Sequence, residues 1–204
     1  VQSLSSAVAG ELAALSCVVE QLRELQLVVV TGHPGTGKSN IVRAIKALDL
    51  PDSIGCFEVY EVIDDNWDSL ASSVFERGGT EADILQFANR IALKAMLSEM
   101  PGKKLVFFDG SGVIEDYVEI LSEAGTYQAI FVLTHASEQI INKRLHGRGD
   151  NFAHREKAAR EQSLNLESIH PVNGLLLDTD SSNKELPIEE IVAIFNFVRN
   201  KLTS

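Results

Sequence analysis

A glycine-rich stretch that directly follows an apolar run is the feature that most constrains the fold of this chain. Residues 28–40 read VVVTGHPGTGKSN, so the β-branched residues predict a buried strand that ends at the glycines. The pattern G-x-x-x-x-G-K-[ST] is complete from Gly32 to Ser39, and it normally joins a strand to a helix around bound phosphate groups. The stretch therefore predicts a strand–loop–helix unit with a nucleotide-phosphate site at its turn.

Each part of this glycine loop has a physical reason. Glycine lets backbone N–H groups approach phosphate oxygens without a Cβ in the way, and the helix N-terminus adds positive potential. Lys38 is expected to reach the β- and γ-phosphates, and the Ser39 hydroxyl to ligate Mg²⁺. ATP and Mg²⁺ are therefore the expected cofactors. The residues expected to contact the nucleotide are Gly32, His33, Pro34, Gly35, Thr36, Gly37, Lys38, Ser39 and Asn40.

The amino-acid composition indicates which binding partners and which cellular compartment to expect. The chain has 204 residues, 45% of them hydrophobic, and a formal net charge of −11, which disfavours attraction to nucleic acid or to an anionic membrane. No apolar run reaches the roughly 18–20 residues needed to cross a bilayer, and no signal-peptide pattern is recognisable. The two cysteines, Cys17 and Cys56, have neither metal-ligand spacing nor a disulfide framework. We therefore expect a cytoplasmic protein.

Short apolar strands alternate with helical patterns along the chain. Strands are expected at residues 26–31, 56–63, 104–110, 129–135 and 174–180, with amphipathic helices between them. This alternation predicts an α/β fold, a three-layer α/β/α sandwich with a five-stranded parallel sheet. Ligands of such sheets bind at the carboxyl ends of the strands. The residues expected at that edge are Gly32, Asp64, Asp109 and His135.

The first 25 residues are expected to form an N-terminal helical appendage, followed by a P-loop domain at residues 26–204. Apolar residues recur at three- and four-residue intervals from Leu4 to Leu22, which indicates an amphipathic helix. Its apolar stripe is expected to cover the parent domain. The alternative is that the stripe pairs with a second subunit in a homodimer.

Three classes of P-loop protein compete, and Asp109 bears on all of them. This acid ends the third strand and is expected to approach Mg²⁺ through water, the alternative being a strand-end cap. Gly110 follows it, in place of the second acid that motor-type ATPases use. The stretch from Asp109 to Gly112 matches the D-x-x-G of GTPases, but residues 142–145, NKRL, have leucine where guanine recognition requires aspartate. These departures favour a small-molecule kinase.

A basic stretch supports the kinase interpretation. Residues 143–160 read KRLHGRGDNFAHREKAAR and carry six Lys/Arg against two acids. An isolated stretch of this kind is usually a solvated helical face. This one follows the fourth strand and its helix, where small kinases place a basic lid that neutralises the moving phosphoryl group and excludes water. We therefore expect a small basic lid at about residues 147–163.

With these features the chain resembles the P-loop small-molecule kinases of the adenylate-kinase-like, shikimate and gluconate type. The resemblance spans about residues 26–202 and rests on the P-loop, the DD at 64–65, the DG at 109–110 and RLHGRG at 144–149. Residues 160–171, REQSLNLESIHP, are also similar to the segment after the lid in gluconate kinases. The resemblance implies that Arg144 stacks on adenine and that Arg148 contacts the phosphates, with Arg155 and Arg160 as further candidates.

The acceptor side is indicated by the two acids after the second strand. A kinase that phosphorylates a hydroxyl needs a carboxylate to orient it and accept its proton. Similarity to polynucleotide-kinase-like members of the superfamily implies that Asp64 is this base and that Asp65 caps the next helix, although both acids could be caps only. Trp67 stands where those members usually have arginine, which disfavours a polynucleotide acceptor.

Together these features predict a phosphotransferase that moves the γ-phosphoryl group of Mg-ATP to a hydroxyl or phosphate of a small molecule. Its expected catalytic residues are Lys38, Asp64 and Arg148, with Ser39 and Asp109 at the metal. One alternative is a nucleotide-binding regulatory or sensor protein on a kinase scaffold without transfer activity. It is suggested by Ser-Gly-Val at 111–113, where nucleoside monophosphate kinases usually have an aromatic, a proline and an arginine. The other alternative is a polynucleotide-kinase-like enzyme.

Overall fold

The structure is a computed structural model, and it describes residues 6–59, 67–110, 112–124, 129–147, 149, 163–169, 174–181 and 187–204. The elements in chain order are α1 (Ser6–Val19), β1 (Gln26–Gly32), α2 (Lys38–Lys46), β2 (Ile54–Glu58), α3 (Trp67–Glu76), α4 (Glu81–Glu99), β3 (Leu105–Asp109), α5 (Ile114–Ala124), β4 (Ala129–His135), α6 (Glu138–His146), β5 (Leu175–Asp178) and α7 (Ile188–Thr203). Residues 163–169 are helical as well. Among the described helices, none has the length and apolar character needed to cross a membrane.

In the described part of the chain the five strands form one parallel sheet in the order β2-β3-β1-β4-β5. β1 is central and pairs with both β3 and β4. Gly32 lies opposite Thr134, and Glu58 lies opposite Asp109. The carboxyl ends of the strands therefore meet at one edge of the sheet, as the alternation of strands and helices predicted.

Both faces of the sheet are buried, because successive residues of a strand point to opposite faces. In β1, Val28 and Val30 belong to a core shared with α1, α2 and α7, whereas Leu27 and Val29 belong to a core shared with α4 and α5. Phe107 and Phe108 divide between the same two cores. The three-layer α/β/α architecture is thereby confirmed.

The second strand is shorter than its sequence pattern predicted. The expected range was 56–63, but β2 begins at Ile54 and ends at Glu58, and Val59 lies in a turn. Pairing with β3 fixes this end, because Glu58 is opposite Asp109, the last residue of β3, and the Val59 N–H donates to the Asp109 carbonyl at 3.1 Å. Glu58 therefore occupies the strand-end position expected for Asp64, which lies outside the described residues.

Helix α4 begins where local sequence signals placed it. The Thr80 hydroxyl accepts from the Asp83 backbone N–H at 3.4 Å, and the Asp83 carboxylate accepts from the Thr80 N–H at 2.6 Å. This reciprocal capping box satisfies backbone donors that a helix start leaves unpaired. The predicted capping box is therefore confirmed, and the helix runs to Glu99, just before Pro101-Gly102.

Helix α1 packs on α7 and contributes to the core on that face of the sheet. Val8, Leu12, Leu15 and Val19 are its buried residues, and they recur at three- and four-residue spacing. They share a hydrophobic cluster with Ile191, Ile194 and Val198 of α7. An ion pair at 3.1 Å between Arg199 and Glu11 joins the same two helices. The apolar stripe of α1 thus lies within the core of a single chain.

We expect Leu15→Ala to lower the free energy of unfolding by roughly 2–5 kcal/mol, because Leu15 is 0% exposed and its loss leaves a cavity. Urea denaturation of the parent and the variant measures this difference. Cys17→Ala is the control, since Cys17 lies on the same helix but is exposed, and it should change stability by less than about 0.5 kcal/mol. A loss for Leu15→Ala no larger than that of the control would show that α1 contributes little to the core.

Candidate functional site

The glycine loop emerges from the middle of the sheet and requires glycine at its first position. A Cβ added to Gly32 would lie 2.4 Å from the Thr134 hydroxyl and 2.6 Å from the Thr134 carbonyl oxygen. Gly37, the N-cap of α2, has φ +90°, which side-chain-bearing residues rarely adopt. The glycines of the motif are therefore explained by a close strand contact at one end and a left-handed backbone at the other.

Two buried threonines outside the loop, Thr134 and Thr179, hold it through Thr36, a buried threonine of the loop itself. The Thr36 hydroxyl lies 2.7 Å from the His33 carbonyl oxygen and 2.7 Å from the Thr134 hydroxyl. The Thr179 hydroxyl, which follows β5, donates to the Thr36 carbonyl at 2.6 Å. Each of the three side chains is 0% exposed. Strands β4 and β5 therefore support the turn that β1 begins.

Lys38 and His33, which both belong to the glycine-loop motif, are buried. Lys38 is the first residue of α2 and 5% exposed, and His33 is 1% exposed. Burial lowers the pKa of His33 to about 3, with a smaller contribution from the positive charge of Lys38. The His33 Nδ1–H donates to the Pro34 carbonyl oxygen, and Nε2 has no hydrogen-bond partner in the described structure. His33 is thus neutral at pH 7, a property that its position in the motif did not predict.

Asp109 ends β3 as a fully buried carboxylate beside the loop. Neither carboxylate oxygen has a hydrogen-bond partner of good geometry among the described residues. Burial raises the pKa of Asp109, while the Lys38 ammonium and the Ser39 hydroxyl are near enough to oppose that rise. A buried carboxylate without a well-formed hydrogen bond is a suitable ligand for a bound cation, because the cation would supply the partner that the carboxylate lacks.

Glu58 is a second acid at the same edge that the sequence did not single out. It is 4% exposed, and its carboxylate accepts from the Arg43 Nε–H at 2.7 Å. Arg43 lies on α2, and its side chain is 62% exposed. Only its position at a strand end could have identified Glu58 from the sequence. The strand was expected to run to residue 63, so Glu58 was placed inside it and not at its end.

This group of residues fits a hard cation such as Mg²⁺. Ser39 supplies a hydroxyl, and Asp109 and Glu58 supply carboxylates, which are the ligand types that Mg²⁺ prefers. In the described ranges, no group of three or more His, Cys, Asp and Glu residues gathers into a metal site. That is compatible with Mg²⁺, which usually takes one or two protein ligands and fills its shell with water and substrate phosphates.

Arg144 contacts the glycine loop directly. It lies on α6, and its guanidinium donates to the Gly35 carbonyl at 3.0 Å and to the Thr179 carbonyl at 2.7 Å. Residues 142–145 also lie in this helix, so their partial likeness to a guanine-binding loop is coincidental. The structure thus brings together the glycine loop, Ser39, Asp109 and Arg144.

The loop after Asp109 is held by a residue that the sequence gave no reason to select. Asn165 is 0% exposed, and its Oδ1 accepts from the Ile114 N–H at 3.0 Å. Its Nδ2 donates to the Gly112 carbonyl at 3.3 Å, and the Thr31 hydroxyl donates to the same oxygen at 3.0 Å. The helical segment at 163–169 is therefore bonded to the loop that follows Asp109.

Several predicted residues lie outside the described parts of the chain. They are Asp64, Asp65, Arg148, Arg155 and Arg160, together with most of the expected lid at 147–163. Their assignments therefore stay predictions. An apolar groove of about 290 Å³ between α4 and α5 is lined by Leu27, near the amino end of β1, so it lies away from the glycine loop.

Asp109 and Asp83 should change the pH dependence of stability in opposite directions. A raised folded-state pKa means that Asp109 ionisation disfavours folding as pH rises above about 3.8. Metal-free Asp109→Asn should therefore gain stability relative to the parent as the pH rises. Thr80 hydrogen bonds lower the pKa of Asp83, so Asp83→Asn should lose relative stability over the same range. Urea denaturation in EDTA from pH 4 to 8 measures both, and parallel curves for the two variants would contradict the assignment.

Comparison with known proteins places the fold. No family profile matches the chain, and no curated protein matches it by sequence. Among solved structures, shikimate kinase from Acinetobacter baumannii in complex with shikimate is 14% identical with a TM-score of 0.56, over 90% of this chain and 98% of that one. A gluconokinase from Sinorhizobium meliloti is 17% identical with a TM-score of 0.56, over 89% of this chain and 98% of that one.

A sugar kinase from Janibacter is also similar, at 17% identity and a TM-score of 0.52, over 87% of this chain and 95% of that one. Sequence identities of 14–17% show a common fold only, and the aligned regions cover almost the whole of each neighbour. The chain therefore has the fold of the P-loop small-molecule kinases.

Proposed function

We propose that this protein is a kinase that transfers the γ-phosphoryl group of Mg-ATP to a small-molecule acceptor. The observation that carries the proposal is the meeting of the glycine loop, buried Lys38 and buried Asp109 at the carboxyl ends of neighbouring parallel strands. The similar solved structures include a shikimate kinase and a gluconokinase, whose acceptors are small molecules. Neither neighbour identifies the acceptor of this chain.

The described geometry supports the nucleotide side of this proposal. The N-terminus of α2 begins at Lys38, so its backbone donors and its partial positive charge favour a bound phosphate. The Lys38 ammonium would interact with the β- and γ-phosphates and stabilise the charge that develops during transfer. The acceptor oxygen would bond to the γ-phosphorus as the bond to the β-phosphate breaks, and both ADP and the phosphorylated acceptor would then leave before Lys38 meets the next nucleotide.

The proposed metal site includes Asp109 and Glu58, the acids that end β3 and β2. Ser39 would ligate Mg²⁺ directly, and Asp109 would hold it through water, with Glu58 beside them. Bound Mg²⁺ would neutralise phosphate charge during the transfer. Asp109 carries the strongest support for this role, because its carboxylate is fully buried and lacks a good hydrogen-bond partner among the described residues.

On the acceptor side, we propose that Asp64 orients the acceptor hydroxyl and accepts its proton, and that Arg148 stabilises the moving phosphoryl group. Arg144, which the resemblance implies stacks on adenine, has its guanidinium on the Gly35 carbonyl of the loop. Because β2 ends at Glu58, Glu58 is the competing candidate for the base.

We expect Lys38→Ala to lower kcat/KM for phosphoryl transfer by at least about 10²-fold, because it removes charge stabilisation in a buried site. Steady-state transfer assays measure this loss. Lys46→Ala is the matched control, since Lys46 lies on the same helix but is exposed, and it should retain activity within about twofold. Parent-like turnover by Lys38→Ala would exclude the proposed role of the lysine.

Incubation of the protein with Mg-ATP and a panel of metabolites tests the function itself. The panel should contain small sugars, sugar acids, hydroxy acids and nucleoside monophosphates. ADP that forms only with one acceptor, together with that phosphorylated acceptor, is the expected result. ADP release that no acceptor changes would instead indicate a slow ATPase or a nucleotide sensor on a kinase scaffold.

Once an acceptor is known, Asp64→Asn should lower kcat by roughly 10²–10⁴-fold and leave the affinity for Mg-ATP nearly unchanged. Isothermal titration with a non-hydrolysable ATP analogue separates the two effects. Asp65→Asn is the matched control, because Asp65 is expected to cap a helix and should keep most of the activity. Full activity in Asp64→Asn together with loss in Glu58→Gln would move the role to Glu58.

A further inference from the structure

Two peptide units of the glycine loop are held by their carbonyl oxygens. The Arg144 guanidinium donates to the Gly35 carbonyl at 3.0 Å, and the Thr179 hydroxyl donates to the Thr36 carbonyl at 2.6 Å. Arg144 and Thr179 also bond to each other, through the Thr179 carbonyl at 2.7 Å and the Thr179 hydroxyl at 3.2 Å. The two side chains therefore form one brace across α6, the end of β5 and the loop.

The brace is itself held by the sheet. The Thr179 N–H donates to the His135 carbonyl at 2.8 Å, and His135 is the last residue of β4. Thr179 is 0% exposed, so these bonds are made away from water, where a lost partner is costly. The loop carbonyls are thus fixed relative to the rigid strands beneath them.

Holding a carbonyl also orients the N–H of the next residue. In a planar trans peptide the C=O and the following N–H point in opposite directions. The bond from Thr179 to the Thr36 carbonyl therefore turns the Gly37 N–H away from Thr179. That N–H lies at the N-cap of α2, where backbone donors of a glycine loop face phosphate.

We propose that Arg144 and Thr179 are positioning residues that preset the glycine loop as a triphosphate site, and that their contribution does not depend on the nucleobase. The inference rests on the proposed function, because it assumes that this loop binds the triphosphate. A loop held in its bound conformation loses less conformational entropy on binding, so its affinity for the phosphates is higher. Stacking of Arg144 on adenine would instead favour only ligands that carry a base.

Two probes separate these roles: Mg-tripolyphosphate, which has no base, and the Mg complex of a non-hydrolysable ATP analogue. Isothermal titration measures the affinity of each for the parent, Arg144→Ala and Thr179→Val. Arg144→Ala should weaken tripolyphosphate binding by roughly tenfold or more, and Thr179→Val by roughly three- to tenfold. Thr179→Ser keeps the hydroxyl and should bind tripolyphosphate within about twofold of the parent. Circular dichroism and unfolding midpoints verify that the variants are folded.

Lys143→Ala is the matched control for loss of charge, since Lys143 is exposed and precedes Arg144 on α6. It should change tripolyphosphate affinity by less than about twofold. An equal loss in this control would attribute the effect to general electrostatics and would overturn the inference. If Arg144→Ala is not folded at the assay temperature, the comparison of Thr179→Val with Thr179→Ser decides alone.

A loss of tripolyphosphate affinity below about threefold in both Arg144→Ala and Thr179→Val would overturn the inference, even if binding of the ATP analogue were weakened. Parent protein that binds neither probe would overturn the proposed function together with this inference. Parent protein that binds both probes, with variants that bind tripolyphosphate equally well, would overturn this inference alone.

Discussion

The close pairing of β1 with β4 is the constraint on which the site depends. Gly32 lies opposite Thr134 with no room for a side chain. The central strand β1 therefore stays paired with β4 up to its last residue. The loop then begins among buried strand ends rather than at a loose turn on the surface. The Thr134 hydroxyl also lies 2.7 Å from the Thr36 hydroxyl, so the strand that fixes the start of the loop also supports its return.

The same edge of the sheet contains buried ionisable groups whose burial is electrostatically unfavourable. Asp109 is ionisable, fully buried and poorly hydrogen-bonded, and the imidazole of His33 is kept neutral by burial and by Lys38. Neither arrangement favours the folded chain by itself, because buried polar groups are stabilising only when they are paired. Such groups persist where a ligand completes them, which is why perturbed pKa values gather at functional sites. A cation beside Asp109 would supply the missing partner.

Local signals account for what the sequence predicted well. The strand ending at Gly32, the capping box at Thr80 and the strand ending at Asp109 are each encoded within a few neighbouring residues. The contact between Arg144 and Gly35 joins residues 109 positions apart, and that between Thr179 and Thr36 joins residues 143 positions apart. Neither the hydrophobic periodicity nor the spacing of motifs in the sequence indicates contacts between residues so far apart. The end of β2 was misplaced for the same reason, because pairing with β3 decides it and the apolar pattern does not.

The balance of charge at the site indicates what else the chemistry requires. Lys38 and Arg43 face Asp109 and Glu58, so the described charges nearly cancel before any ligand binds. Mg-ATP is a net anion, and its transferring phosphoryl group concentrates charge on the outer oxygens. Arg144 adds one positive charge beside the loop, although Asp180 is close enough to attract it. The proposed transfer therefore calls for a further cation from another segment. Residues 148–160, with Arg148, Arg155, Lys157 and Arg160, are the source that the sequence offers for this cation.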